Sequence, residues 1–180
     1  MADGQKGARV IPRFFRVTTL IFASALFCVA QPSPPKTVVE YYKLLPDKYF
    51  EADREQRINW MLDPKRGAVV DSKNGYLFAP GDGAQTDIYL SLFKKRNDEF
   101  VVAVKHYDSD TNDFTYLEFL LYKNASWTEV TKSMIPVKIN DDLRYEMPRY
   151  GKVIRVRNKK GKRMYELVWT GEKFLLRKWI

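Results

Sequence analysis

Hydrophobic residues follow a helical period near residue 40 and a two-residue period beyond residue 67. Residues 37–45 place their large apolar side chains on one helical face. Thr37 and Glu40 have the spacing of a capping box, and Pro46 ends the segment. Residues 53–62 repeat the helical period. The pattern therefore predicts two N-terminal helices.

The alternation after residue 67 predicts a series of short antiparallel strands separated by turn residues. Asn74-Gly75 is the dipeptide that favours a type I′ hairpin turn, and Asn97-Asp98 predicts another turn. Residues 100–104 are apolar at consecutive positions, which indicates a central strand buried on both faces. The pattern over residues 137–147 is ambiguous and predicts no single type of secondary structure. Strands are predicted over residues 68–73, 76–79, 87–94, 99–106, 114–122, 127–131, 152–157, 163–170 and 174–179.

The last three predicted strands alternate clearly enough to predict which residues face each other. With two-residue turns between them, the expected pairs are Ile154 with Tyr165, Leu167 with Leu176, Trp169 with Phe174, Glu166 with Arg177, and Arg155 with Met164. The predicted fold class is α+β, with the two helices packed on a curled antiparallel meander of about seven or eight strands. A small β-sandwich is the alternative.

The first thirty residues have the three-part pattern of a secretory signal peptide. Four basic residues precede the apolar run 17–29, and Cys28 and Ala30 supply small residues at the −3 and −1 positions of a cleavage site. The run has 13 residues, whereas a membrane-spanning helix needs about 20. A retained membrane anchor is the alternative. We therefore expect an exported protein, periplasmic or extracellular, cleaved near Ala30, with a proline-rich tether at 31–36, one domain at 37–180 and no transmembrane span in the mature chain.

Basic residues are concentrated at the C-terminal end of the chain. Residues 143–180 contain twelve Lys and Arg against three Glu, a net charge of +9, whereas residues 31–142 have a net charge of −3. This asymmetry predicts a positive face that binds an anionic partner. Alternatively, the cations protect exposed strand edges from aggregation. The candidate ligand-binding residues are Arg155, Arg157, Lys159, Lys160, Lys162 and Arg163.

The expected partner is an anionic polysaccharide, a lipid headgroup or another exported protein. Export argues against nucleic acid as the partner. No cofactor is predicted from the sequence.

Residues 108–113 have the alternating oxygen ligands of a calcium-binding loop. Asp108, Asp110 and Asn112 would place carboxylate and amide oxygens around one cation. The sixth position is Asp113 rather than glycine, and the twelfth is Phe119 rather than glutamate. A solvated turn between two strands is the alternative.

Catalytic signatures are sparse in this sequence. His106 is the sole histidine, cleavage at Ala30 would remove the sole cysteine, and no serine lies in a Gly-x-Ser-x-Gly motif. The sequence leaves enzymatic activity undecided and favours a non-catalytic binding domain. The alternatives are a hydrolase that uses carboxylates or His106 beside the loops at 81–87 and 108–113, and a structural or assembly protein of the cell envelope.

Overall fold

A computed structural model describes residues 33–50, 58–81, 86–108 and 113–179, with the backbone alone for residues 113–115. These residues belong to one compact unit, Pro32–Ile180. The predicted signal peptide lies outside the described residues, as does the start of the predicted tether, so both stay predictions.

Two antiparallel sheets make up most of the described chain. The larger sheet has six strands in chain order, β1 to β6, and the smaller sheet has four strands in the order β10-β9-β8-β7. The larger sheet contains β1 (Val69–Asp71), β2 (Tyr76–Ala79), β3 (Asp87–Lys94), β4 (Phe100–Asp108), β5 (Asp113–Lys123) and β6 (Ser126–Glu129). The smaller sheet contains β7 (Leu143–Glu146), β8 (Val153–Asn158), β9 (Arg163–Trp169) and β10 (Phe174–Lys178).

Helical structure is limited to short segments. Helix α1 (Val38–Leu44) begins as predicted, because the Thr37 hydroxyl accepts a hydrogen bond from the Glu40 N–H (3.3 Å) and the Glu40 carboxylate accepts one from the Thr37 N–H (3.1 Å). A single turn, α2 (Thr131–Met134), follows β6, and 3₁₀ turns lie at Asp47–Tyr49 and Pro64–Arg66. None of the described helices is long and apolar enough to cross a membrane.

The six-stranded sheet is the central layer and is buried on both faces. One face packs against α1 and the following 3₁₀ turn through a core that includes Tyr42, Leu90 and Val104. The other face packs against the four-stranded sheet through a second core that includes Phe93 and Ile154. Strand β4 contributes to both cores, which confirms the prediction of a doubly buried central strand at 100–104.

The predicted fold class, two helices on one curled meander, is wrong. The chain forms two separate antiparallel sheets, and α1 is the one helix longer than a single turn among the described residues. Of the second predicted helix at 53–62, residues 58–59 are helical and 60–62 form a turn, while 53–57 lie outside the described residues. The four-stranded sheet stacks on the six-stranded one because Val101, Ala103 and Phe119 form an apolar surface that needs cover. Alternation of apolar residues does not reveal this division, because it carries no information on which strands pair.

The register of the C-terminal strands is partly as predicted. Leu167 pairs with Leu176, Trp169 with Phe174, and Glu166 with Arg177, which confirms three expected pairs. Between β8 and β9, however, the pairing is shifted by two residues: Ile154 faces Leu167 and Arg155 faces Glu166. A longer loop and a bulge at Val156/Arg157 add the extra residues. A two-residue shift leaves every side chain on its expected face.

The turn prediction at Asn74-Gly75 is also wrong in detail. Asp71 pairs with Tyr76, so the loop has four residues, and only Gly75 has a positive φ (67°). The pair of positive φ angles that defines a type I′ turn occurs instead at Asn124 (51°) and Ala125 (57°), between β5 and β6.

Candidate functional site

The hairpin tip between β8 and β9 is a short loop held by hydrogen bonds. The Asn158 N–H donates to the Lys162 carbonyl (2.9 Å), and the Asn158 side-chain oxygen accepts from the Lys162 N–H (2.9 Å). Gly161 has a φ of 81° and its N–H donates to the Asn158 carbonyl (2.9 Å). The loop is therefore ordered before any ligand binds.

Two of the six predicted ligand-binding residues pair with glutamates of the smaller sheet. Arg155 lies 3.8 Å from the Glu166 carboxylate, and the Arg157 guanidinium bonds to the Glu146 carboxylate. Arg157 also donates to the Gly161 carbonyl (3.2 Å), so it fixes the tip. These two arginines stabilise the smaller sheet and its hairpin.

The ion pairs form a row of alternating charge across the outer face of the smaller sheet. The row runs Arg177, Glu166, Arg155 and Glu146, one residue from each of the four strands. Glu166 is only 4% exposed, and it accepts a 2.8 Å hydrogen bond from the Arg177 Nε. The sequence predicted the Glu166–Arg177 pair, whereas the other partners depend on the observed register.

The remaining four predicted residues form what we call the basic tip: Lys159, Lys160, Lys162 and Arg163. All four are exposed. Lys159 forms an ion pair with Asp142 at 3.9 Å, with both side chains largely in solvent. An exposed pair of this kind neutralises little charge in water. The basic tip is therefore a local positive protrusion.

An aromatic side chain that the sequence analysis did not single out lies beside the basic tip. The Arg163 guanidinium carbon lies 4.6 Å from the centre of the Trp179 ring, a cation–π distance. Trp179 follows the end of β10 and is 41% exposed. In the sequence, Trp179 is only the last residue of an alternating strand, and nothing in that pattern predicts that its indole lies beside the lysines of the tip.

His106, the sequence candidate for catalysis, lies near the end of β4 on the face covered by the N-terminal segment. Its Nδ1 is 2.8 Å from the Thr86 hydroxyl, its ring stacks on Tyr116 at 4.3 Å, and the Tyr49 ring lies 6.2 Å from it. The Nε2 atom is buried and has no hydrogen-bond partner among the residues that the structure describes. Burial lowers the pKa of His106 to about 4. The ring is therefore neutral near pH 7, and it is a weak base.

Lys105 lies on the opposite face of β4, between the two sheets. Its Nζ donates to the Tyr145 carbonyl (3.3 Å) and lies 4.0 Å from the centre of the Tyr89 ring. Burial lowers the pKa of Lys105 to about 8, against the opposing effect of Asp87. The lysine therefore links the two sheets through its hydrogen bond to Tyr145, and its cation–π contact lies within the larger sheet.

The two residues that flank the predicted calcium loop, Asp108 and Asp113, lie at the same end of the larger sheet as His106. Asp108 ends β4 and pairs with Asp113 at the start of β5, but residues 109–112, with Asp110 and Asn112, lie outside the described residues. The calcium site stays a prediction. Among the residues that are described, no cluster of three or more His, Cys, Asp or Glu could hold a metal ion.

The loop at 81–87 also reaches this end of the sheet. The Gly81 N–H donates to the Asp87 carboxylate (2.8 Å), and Asp87 pairs with Tyr107 next to His106, while residues 82–85 lie outside the described part. The described flanks of the two loops named in the hydrolase hypothesis therefore lie at the same end of the larger sheet.

No protein-family model matches this chain, and comparisons with curated proteins and with solved structures find no similar protein.

Proposed function

We propose that this chain is a non-catalytic binding domain, exported as the sequence predicts, that binds an anionic polymer through the basic tip. The observation that supports the proposal is the exposure of four cations close together in sequence at one hairpin tip, three on the loop and Arg163 at the start of β9. Closely spaced cations attract a polyanion more strongly than the same number scattered over a surface, because each phosphate, sulfate or carboxylate of the polymer meets several of them.

The ion pairs of the smaller sheet support the proposal from a second direction. Arg155 and Arg177 share the carboxylate of Glu166, and Arg157 pairs with Glu146. Two of the three arginine charges on this face are thereby offset, whereas the cations of the basic tip stay exposed to solvent. Because the hairpin is braced by its own hydrogen bonds, little conformational entropy is lost when a ligand binds.

The properties of His106 favour a binding role over the hydrolase alternative. A general base works best when its pKa lies near the working pH, whereas the pKa of His106 is lowered to about 4. Its ring is enclosed by Tyr49 and Tyr116 and is 5% exposed. The interior stacking of His106 fits a structural role.

The experiment measures the affinity of the full chain for polygalacturonate and for dextran sulfate over a range of salt concentrations. The tip variant replaces three lysines by glutamine, and the control variant replaces three exposed lysines elsewhere, so both lose the same net charge. The tip variant is Lys159→Gln, Lys160→Gln and Lys162→Gln; the control variant is Lys65→Gln, Lys73→Gln and Lys138→Gln.

We expect the tip variant to bind both polymers more weakly and with a shallower salt dependence, because fewer counterions are released on binding. The control variant should retain most of the affinity of the unmodified chain. Equal losses in the two variants would show that only net charge matters and would contradict a site at the tip. Affinity that does not change with salt would contradict the electrostatic basis of the proposal.

A further inference from the structure

The hairpin of the smaller sheet places an exposed indole directly beside the basic tip. Arg163 belongs to the tip and covers the Trp179 ring at 4.6 Å, so the two features are in contact. A planar ring with a guanidinium on one face still offers its other face and edges to solvent, consistent with the 41% exposure of the residue.

We propose that Trp179 and the basic tip together form a binding site for an anionic polysaccharide. This inference rests on the proposed function and names the class of its ligand. The lysines would bind the carboxylate or sulfate groups, and the indole would pack against the apolar C–H face of a pyranose ring. Arg163 orients the indole and adds a positive charge to the same site.

Two features of the tip favour a polysaccharide over a lipid surface. The apex consists of Lys159, Lys160, Gly161 and Lys162, so it has no apolar side chain to insert between lipid chains. Trp179 directly follows β10, the neighbour of β9, and contacts Arg163 at the base of the loop, where a polymer bound across the hairpin would reach it. A linear polysaccharide with charged sugar residues would both pair with the lysines and stack on the indole.

The outer face of the smaller sheet supplies an apolar control position for Trp179. Leu175 lies on β10, the strand that Trp179 follows, and is 51% exposed, but it pairs with Val168, away from the tip. A change that only reduced the exposed apolar area of β10 would affect Leu175→Ala and Trp179→Ala alike.

The test compares three variants of the full chain, Trp179→Ala, Trp179→Phe and Leu175→Ala, for binding to polygalacturonate and to polyphosphate. Polyphosphate carries charge but no sugar ring. We expect Trp179→Ala to weaken polygalacturonate binding roughly tenfold, without changing the salt dependence. Its polyphosphate affinity should stay unchanged. Trp179→Phe should restore much of the loss, and Leu175→Ala should bind as the unmodified chain does.

Several results would overturn this inference. One is unchanged polygalacturonate binding by Trp179→Ala, and another is an equal loss for polyphosphate. Tighter binding to vesicles of anionic phospholipid than to polygalacturonate would assign the tip to a membrane surface instead. In each of these cases the lysine variants still decide the proposed function, because they test the charges and leave the indole in place.

Discussion

Protonation of His106 should make the stability of this protein depend on pH between pH 7 and pH 4. The side chain is 5% exposed and its pKa is lowered to about 4, whereas an unfolded histidine has a pKa of about 6.5. As the pH falls below 6.5, the unfolded chain binds a proton that the folded chain does not, so the free energy of unfolding decreases. Below pH 4 both states are protonated and this decrease is complete.

The size of the effect follows from the two pKa values. The loss is about 2 kcal/mol between pH 7 and pH 5 and about 3 kcal/mol once the pH is below 4. His106 is the sole histidine of the chain, and histidine is the side chain that ordinarily titrates between pH 5 and 7. The slope in that interval is therefore assigned to one residue.

The assay is urea unfolding followed by tryptophan fluorescence at several pH values, for the unmodified chain and for His106→Gln. We expect the variant to lose the slope between pH 7 and pH 5, whatever its stability at pH 7. His106→Phe, which preserves a ring against Tyr116, provides a second variant without a titrating group. A flat profile for the unmodified chain, or the same slope in both variants, would refute the reasoning. A histidine proton resonance that titrates near pH 6.5 would refute it independently.

Three further substitutions test the packing and the turns. Trp169→Ala should lower the free energy of unfolding by about 3–5 kcal/mol, because its ring lies in the core between the sheets. Trp179→Ala should change that free energy by less than about 1 kcal/mol. Similar losses for the two variants in chemical denaturation would be inconsistent with this core. Gly75→Ala should destabilise by more than about 1 kcal/mol, since an added Cβ would lie 2.9 Å from a side chain of β3 at a φ of 67°. Gly161→Ala has a similar φ and open space around it, so thermal melting should show a smaller loss; the reverse order would contradict the packing at Gly75. Glu166→Gln should lower the free energy of unfolding by about 1–2 kcal/mol, because it weakens the hydrogen bond to Arg177 and the ion pair with Arg155. A negligible change in urea unfolding would mean that solvent fully replaces these interactions.

Only part of the candidate site could be predicted from the sequence. The concentration of cations in residues 143–180 pointed to the β8–β9 hairpin as a candidate, but it could not separate Arg155 and Arg157, which pair with glutamates of the smaller sheet, from the lysines of the tip. That separation depends on a register set by a bulge and a loop glycine. Trp179 was missed because its contact with Arg163 joins two strands whose relative position is fixed only by pairing.

Local sequence determined the features that depend on neighbouring residues. The capping box of α1, the turn near Asn97 and the inward face of each C-terminal strand follow from backbone preferences and from the two-residue period of a strand. The burial of 101–104 on both faces follows from its unbroken apolar run.

Tertiary structure alone decided how the strands divide into two sheets and where those sheets meet. The indole N–H of Trp169 donates to the Lys94 carbonyl (2.8 Å), across 75 positions of the chain. Such contacts form because each sheet leaves an apolar face that must be covered, and several arrangements of the same alternating strands would cover it. The selection among them rests on how side chains distant in sequence fit together, which the alternation of any one strand does not encode.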